Sequence, residues 1–372
     1  MNILIFLIIL LVLVLVHEFG HFFTAKKFGI RVDEFGFGFP PKLFSKKFGE
    51  TEYSLNLLPL GGFVKIFGET PDAENMNGPD ASRSFVNKAK WKQAIVLVAG
   101  VVMNFLLAWV LFSFGFMSGL PTSVDAARKD AEFSDVHLVV VSVTPDSPAE
   151  LAGLKSGDQI VTMYINWEDE TRSSVKDDVR KLTPENVKEF IQKHPDEEIH
   201  VAYDRGKNET QNVKIIPRAT DGKPMIGIAM DQIGIAKLPI FKAFSEGMRL
   251  TLSVTKATAV GLFTLIVDGV RGRGSLASIT GPVGMVGIVG DAYQFGFVYL
   301  MSFAALISIN LAIINLLPFP ALDGGRLFFL LIEKIKGSAM NPKFANMANT
   351  IGFVILILLM VLVTYHDVVK LF

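Results

Sequence analysis

The residues of this chain most able to do chemistry are His17, Glu18 and His21, in the order His-Glu-Phe-Gly-His. Residues four apart lie on one face of a helix, so the two imidazoles can be directed at one metal ion. Glu18 follows His17 directly and can reach a water held at that metal. The spacing is typical of zinc hydrolases.

The element that carries these residues is strongly apolar. Residues 2–16 are uncharged, and the first lysine, Lys26, follows after about 24 residues. One helix of that length rises about 36 Å and crosses a hydrocarbon core of about 30 Å. Ionisable groups are costly there and mark a functional site, which disfavours the alternative of a chance match. The N-terminus lacks a basic region and a cleavage site, which predicts a retained span.

The composition predicts a membrane protein with room for one soluble domain. Half of the 372 residues are hydrophobic, and 36 basic residues balance 36 acidic ones, which gives no basic field for nucleic acid. The chain has no cysteine. Disulfides and thiolate ligands are therefore excluded, and any zinc must be held by histidine and carboxylate.

Three further stretches, 93–124, 292–322 and 344–365, are long and apolar enough to span, which predicts four spans. The stretch 241–267 has charges on one side and is predicted to be an interfacial amphipathic helix, with a span as the alternative. The loop between the first two spans holds eleven Lys or Arg. This predicts a cytoplasmic loop, with both termini and the region 125–291 outside.

Asp323 is the best-placed third metal ligand. The first and third spans both enter from outside, so His17 and Asp323 reach a similar depth, about 22 Å in and within the cytoplasmic half of the bilayer. Pro318 and Pro320 interrupt the helix and predict a broken, protein-enclosed segment. A catalytic zinc site needs three protein ligands and an open position. The alternative is a helix-terminal Asp at the interface.

Two regions outside the spans predict strand pairing. Gly36, Phe37 and Gly38 lie in an apolar, glycine-rich stretch whose alternation predicts strands, and an exposed edge there could capture an extended substrate. The glycines could equally mark turns. Further on, strands alternate with two helices, one at 184–193 and one capped by Ser147. This order predicts a small β-barrel that binds a chain terminus by strand addition, or a structural cap.

These motifs together resemble the bacterial site-2 proteases of the regulator-of-sigma-E type, which are intramembrane zinc metalloproteases. The resemblance covers nearly the whole chain and rests on HEFGH at 17–21, LPLGGFVK at 58–65, GPVG at 281–284 and NLLPFPALDG at 315–324. It departs from the family pattern at Val101, where a proline is usual. The chain also has one PDZ-like module where many members have two.

The resemblance implies a role for each candidate residue. Zinc ligands are expected at His17, His21 and Asp323, and the catalytic acid/base at Glu18. Asn315 is expected to hold the substrate or the developing oxyanion. The outer module is expected to be a PDZ domain, and the glycine-rich stretch to be a membrane-reentrant β-loop.

The predicted fold is a polytopic α-helical membrane protein with about four transmembrane helices, a membrane-associated β-loop region and an inserted small α+β PDZ-like domain. The predicted segments are a first transmembrane helix (1–30), a cytoplasmic β region (31–92), a second helix (93–124), the PDZ-like domain (125–220), a linker with the amphipathic helix (221–291), a third transmembrane segment (292–330), and a cytoplasmic loop with the fourth helix (331–372).

The predicted function is hydrolysis of peptide bonds within or near the transmembrane segment of single-span membrane proteins, in the cell membrane, after trimming outside. Zn²⁺ is the expected cofactor, and the lipid bilayer, but not nucleic acid, is an expected partner. Two alternatives belong to other classes. A non-catalytic PDZ scaffold would tolerate loss of Glu18, and a metal-ion transporter would spread ionisable residues through several spans.

Overall fold

The apolar runs of the sequence fold into long helices in the computed structural model, which describes residues 2–70, 73–124, 133–166, 175–179, 181–206, 209–220, 222–272, 281–338 and 340–369. The helices are α1 (Asn2–Lys27), α2 (Ala73–Asn77), α3 (Lys90–Ser118), α4 (Pro148–Leu151), α5 (Pro184–Lys193), α6 (Ile240–Val270), α7 (Pro282–Phe295), α8 (Phe297–Leu316), α9 (Asp323–Lys336) and α10 (Pro342–Val369). The strands are β1 (Val32–Phe48), β2 (Thr51–Ile66), β3 (Leu120–Ser123), β4 (Phe133–Val143), β5 (Gln159–Asn166), β6 (Val175–Asp178), β7 (Ile199–Asp204), β8 (Gln211–Ile215), β9 (Arg218–Thr220), β10 (Lys223–Met225) and β11 (Ile228–Ala236).

Five of these helices, counted within the described residues, are long and apolar enough to cross a membrane: α1, α3, α6, α8 and α10. Four of them, α1, α3, α8 and α10, each overlap one of the predicted spans. The fifth, α6, was predicted to lie at the interface, but its length and composition also qualify it as a span. The count of four therefore stays a prediction, while several apolar helices are confirmed.

Two helices have a different end from the predicted one, and in both cases a glycine lies at that end. The second span was predicted to reach residue 124, but α3 ends at Ser118, Gly119 has φ +98°, and β3 follows. The third was predicted to start at residue 292. Gly296, with φ +118°, instead separates α7 from α8. Positive φ favours glycine and ends regular helix, so these positions break the apolar runs.

The strands β1 and β2 form where the sequence predicts strands. Each of them has a segment that pairs on both sides with the other strand. Residues 32–37 of β1 pair on one side with residues 62–66 of β2 and on the other with residues 52–55. The latter segment also pairs with the second half of β1, from Lys42 to Lys47. The segment 32–37 is therefore central in the sheet.

The chain divides into two units, Met1–Gly115 with Ile240–Phe372, and Phe116–Pro239. In the second unit one antiparallel sheet has the strand order β3-β11-β4-β5-β7-β8, with β6 paired to β5. The predicted cap is present, because the Ser147 side chain accepts an N–H bond at the start of α4. Thr183 caps α5 in the same way. Burial of residues such as Leu138, Met163 and Phe190 forms the core.

One segment of this unit corrects the predicted domain limits. The strand β11 lies in the stretch 221–291 that was assigned to a linker and helix, yet it pairs with both β3 and β4. The assignment of β11 to a linker was wrong, because its partners lie about a hundred residues away in sequence. The predicted domain boundaries at residues 125 and 221 themselves lie outside the described residues.

Candidate active site

The two histidines of the HEFGH motif meet inside the first unit. His17 and His21 lie one turn apart on α1 and are 5% and 6% exposed. Their Nε2 atoms are 3.2 Å apart, with the rings edge to face. The helix therefore directs two nitrogen donors to one point, as the spacing of four predicts.

Asp323 joins the two histidines from the far end of the sequence. It is the first residue of α9, after the non-helical residues 317–322 that separate α8 from α9. Its Oδ2 lies 3.0 Å from His17 Nε2 and 3.3 Å from His21 Nε2. The predicted break at Pro318 and Pro320 is confirmed. Gly324 is needed there, because a Cβ would collide with the backbone of Leu316 and Leu317.

The donor atoms of His17, His21 and Asp323 fit a zinc ion. Ligands of a tetrahedral zinc at about 2.0–2.1 Å are separated from one another by about 3.3–3.4 Å. The three separations found here are 3.0, 3.2 and 3.3 Å. Two imidazole nitrogens and one carboxylate oxygen also match the donor set of catalytic zinc sites, which keep a fourth position open.

Glu18 is half-buried beside this cluster and contacts the β region. Its carboxylate accepts a hydrogen bond from the backbone N–H of Val64 at 3.0 Å. Val64 stands opposite Phe35 in the sheet, and its N–H points away from β1. The outer side of residues 62–64 therefore faces Glu18, and no strand within the described residues pairs with it.

Asn315, expected from the family resemblance, also reaches the cluster. It lies in the last turn of α8, just before the break, and its Nδ2 is 3.5 Å from His17 Nε2. An amide at that distance can donate to an oxygen atom that lies near the histidine. The structure thus brings Asn315, His17, His21 and Asp323 into one group, with Glu18 at its side.

The predicted free strand edge at Gly36, Phe37 and Gly38 is wrong. Gly36 pairs with both Phe63 and Ser54, and Phe37 with both Gly62 and Leu55. The Asn56 side chain donates to the carbonyls of Phe37 and Gly38 at 3.3 and 3.2 Å. Both sides of this segment are occupied because β2 folds back over it.

The helix α3 contributes residues that sequence reasoning did not assign to the site. Val96, Gly100 and Asn104 follow one another at intervals of four and line the side of α3 that meets the histidines. His21 Nδ1–H donates to the Val96 carbonyl at 2.8 Å, and Asn104 Nδ2 lies 3.2 Å from His17 Nδ1. A small residue and a polar residue four apart in an apolar span were the available signal.

Comparison with known proteins identifies the family. The model of peptidase family M50 matches residues 5–359. The chain belongs to peptidase family M50. A provisionally named zinc metalloprotease of Clostridium perfringens is 34% identical over 96% of this chain and 95% of the relative. The regulator of sigma-W protease RasP of Bacillus subtilis is 30% identical over 99% of this chain and 98% of the relative. The zinc metalloprotease RasP of Geobacillus kaustophilus is 30% identical over 99% of this chain and 97% of the relative.

This M50 peptidase is a zinc metalloprotease, and zinc is its cofactor. The predicted family, enzyme class and cofactor are confirmed. An M50 peptidase with several apolar helices long enough to span is a multi-pass membrane protein and an intramembrane protease. The scaffold and transporter alternatives are set aside by this membership.

Proposed function

We propose that this M50 peptidase cleaves single-span membrane proteins within or near their transmembrane segment. The observation that carries the proposal is the cluster of His17 and His21 on the apolar helix α1 with Asp323, which follows the apolar helix α8, and the Glu18 carboxylate beside it. The three ligand residues would hold the zinc. Because ionisable groups are costly in a bilayer, a site built there serves substrates that are themselves in the bilayer.

The chain's own groups supply the proton transfers of hydrolysis. When bound, zinc polarises the scissile carbonyl and lowers the pKa of a water toward about 7. Glu18 takes the proton from the attacking water and later delivers it to the leaving amine. Asn315 donates from its amide to the oxygen of the tetrahedral intermediate, where negative charge develops.

Substrate binding requires an extended peptide, because a helix hides its carbonyls in hydrogen bonds. The outer side of β2 at residues 62–64 is the segment that faces Glu18, in place of the occupied segment at Gly36. We assign the unwound substrate to this edge, where strand addition would hold the chain beside the ligand residues. Gly36, Phe37 and Gly38 then act by supporting the edge strand from behind.

The membrane orientation and the second unit define the accessible substrates. The basic loops between the first two spans and before α10 favour a cytoplasmic location, with both termini and the second unit outside. The active site then lies in the cytoplasmic half of the bilayer. The single sheet with two capped helices supports a PDZ-like domain, which would exclude bulky ectodomains and admit substrates already trimmed outside.

Co-expression with a single-span membrane protein that lacks its ectodomain tests the enzyme. We expect cleavage by the wild type, and a loss of about 10²- to 10⁴-fold in Glu18→Gln, because the glutamine cannot carry the proton. Zinc content should be unchanged in that variant, since Glu18 is not a ligand. Equal cleavage by both proteins would refute the proposal.

The third ligand is tested separately by zinc content. Asp323→Ala should purify with much less zinc than the wild type, whereas Asp367→Asn, at a carboxylate that accepts from the N–H groups of Gly281 and Gly284, should keep it. Undiminished zinc in Asp323→Ala would show that another residue completes the site.

A further inference from the structure

The side of α3 that meets α1 carries one polar group that contacts the Nδ1 atom of each histidine. His21 Nδ1–H donates to the Val96 carbonyl, so the lone pair of His21 is on Nε2, the atom directed at the other two donors. Asn104 lies eight residues after Val96, about 2.2 turns along α3 and on the same side of the helix. It contacts the corresponding atom of His17, Nδ1, at 3.2 Å.

One atom of the Asn104 side-chain amide lacks a hydrogen-bond partner in its present orientation. Asn104 is fully buried, and its Oδ1 finds no hydrogen-bond partner among the described residues. A buried unpaired carbonyl oxygen costs about 1–3 kcal/mol. The oxygen and nitrogen of an amide are assigned from the hydrogen-bond network and can be exchanged by a half-turn. That half-turn would bring Oδ1 onto His17 Nδ1.

The two orientations have different consequences for His17. With Nδ2 toward the ring, Asn104 donates to the Nδ1 lone pair, and the neutral ring carries its proton on Nε2. A protonated Nε2 can donate to Asp323 but has no lone pair for a metal. With Oδ1 toward the ring, Nδ1–H donates to Asn104, and Nε2 is free to ligate, as in His21. Outer partners of this kind fix the tautomer of metal-binding histidines.

We propose that Asn104 is a positioning residue that accepts the Nδ1–H of His17 through Oδ1 and thereby holds His17 in the zinc-binding tautomer. The proposal rests on the assignment of His17 as a ligand. Asn104 itself is fixed in place, because Ser308 of α8 donates to its backbone carbonyl at 2.9 Å. The same hydrogen bond joins α3 to the helix that carries Asn315.

Zinc dissociation constants, measured on the full-length protein by competition with a chromophoric chelator, test the proposal. Asn104→Leu removes the acceptor at similar size and should weaken zinc binding by about 10- to 100-fold. Asn104→Asp keeps an acceptor in the same place and should restore binding close to the wild-type value. Ser113→Ala removes a buried hydroxyl elsewhere on α3, which bonds to the Trp109 carbonyl, and should leave zinc binding unchanged.

The variants also separate this proposal from the proposed function. His17→Ala is the reference for loss of a ligand, and wild-type affinity in that variant would refute the zinc site itself. If His17→Ala weakens binding but Asn104→Leu does not, the zinc site stands and the role of Asn104 is refuted. Equal weakening in Asn104→Leu and Asn104→Asp would also refute an acceptor role.

A measurement on the wild type avoids any effect of the variants on folding. In the zinc-loaded protein with ¹⁵N-labelled histidine, both His17 and His21 should show a proton on Nδ1 that exchanges slowly with solvent. Comparison with His17→Ala assigns the signal of His17. A zinc-loaded protein in which His17 carries no Nδ1 proton would overturn the proposal.

Discussion

Gly100 provides the space in which the two imidazoles meet. A Cβ at this position would lie 2.8 Å from His17 Nε2 and closer still to His21 Nε2. Real Cβ atoms do not approach polar atoms so closely, so a methyl group there must displace at least one histidine. Glycine is therefore required at position 100 for the close approach of the two histidines, and not for a turn, because α3 is continuous through it.

Gly100→Ala should consequently weaken zinc binding. Overpacking of this kind costs about 1–3 kcal/mol, which corresponds to about 5- to 150-fold in affinity. Competition with a chelator measures the change. The control is Gly261→Ala in α6, where a Cβ would meet nothing within 4 Å. Unchanged zinc affinity in Gly100→Ala would show that the histidines can move aside without loss.

The proposed ligand residues stand out in the sequence, but the residues that contact them do not. The helical spacing of His17 and His21, and an Asp after two prolines in an apolar span, are local patterns. The contact between Asn104 and His17 depends on which side of α3 meets α1. That choice follows from the close approach of Gly20 to the Ala99 carbonyl, a contact between distant parts of the chain that periodicity does not reveal.

At the scale of elements, the sheet of β1 and β2 brings its edge to Glu18. The apolar alternation of this region predicts strands, but it does not predict which strand is central. The choice depends on β2 turning back so that residues 52–55 and 62–66 flank the same segment of β1. The predicted edge at Gly36 was therefore wrong although the strands themselves were confirmed.

Val64→Pro should separate the role of this edge from that of the metal. The substitution removes the N–H that holds the Glu18 carboxylate. Proline is tolerated on an edge strand where the N–H points away from the sheet, so pairing with β1 should survive. Misplacement of a catalytic group by about 1 Å can cost about 10²-fold in rate. Cleavage should fall by that order, with zinc content unchanged.

The matched control for this prediction is Val64→Ala, which keeps the backbone N–H and should cleave at nearly the wild-type rate. Both variants are compared on the same membrane substrate, with zinc measured in each preparation. Wild-type cleavage by Val64→Pro would show that neither Glu18 nor the substrate needs this N–H.

At the scale of the whole molecule, the second unit is an insertion whose two ends pair with each other. β3 follows α3, β11 precedes α6, and the two strands are antiparallel with Ser123 opposite Ile233. The segments predicted from the sequence placed β3 in the second span and β11 in a linker, so neither of the two strands that close this unit was predicted. A strand whose partners are distant in sequence has no local signal beyond its own alternation.

This pairing allows most of the second unit to be removed while β3 and β11 stay paired. Replacing residues 125–231 by Asn-Gly would join Val124 to Gln232, a pair in which the Val124 N–H already donates to the Gln232 carbonyl at 2.9 Å. A two-residue turn is the preferred connection between strand ends paired in this way. If the second unit excludes bulky ectodomains, the shortened protein should cleave untrimmed and trimmed substrates at similar rates, whereas the intact protein should prefer the trimmed one. Glu18→Gln in the shortened protein controls for other proteases. A preference for trimmed substrate that persists after the excision would mean that the membrane unit itself selects the substrate.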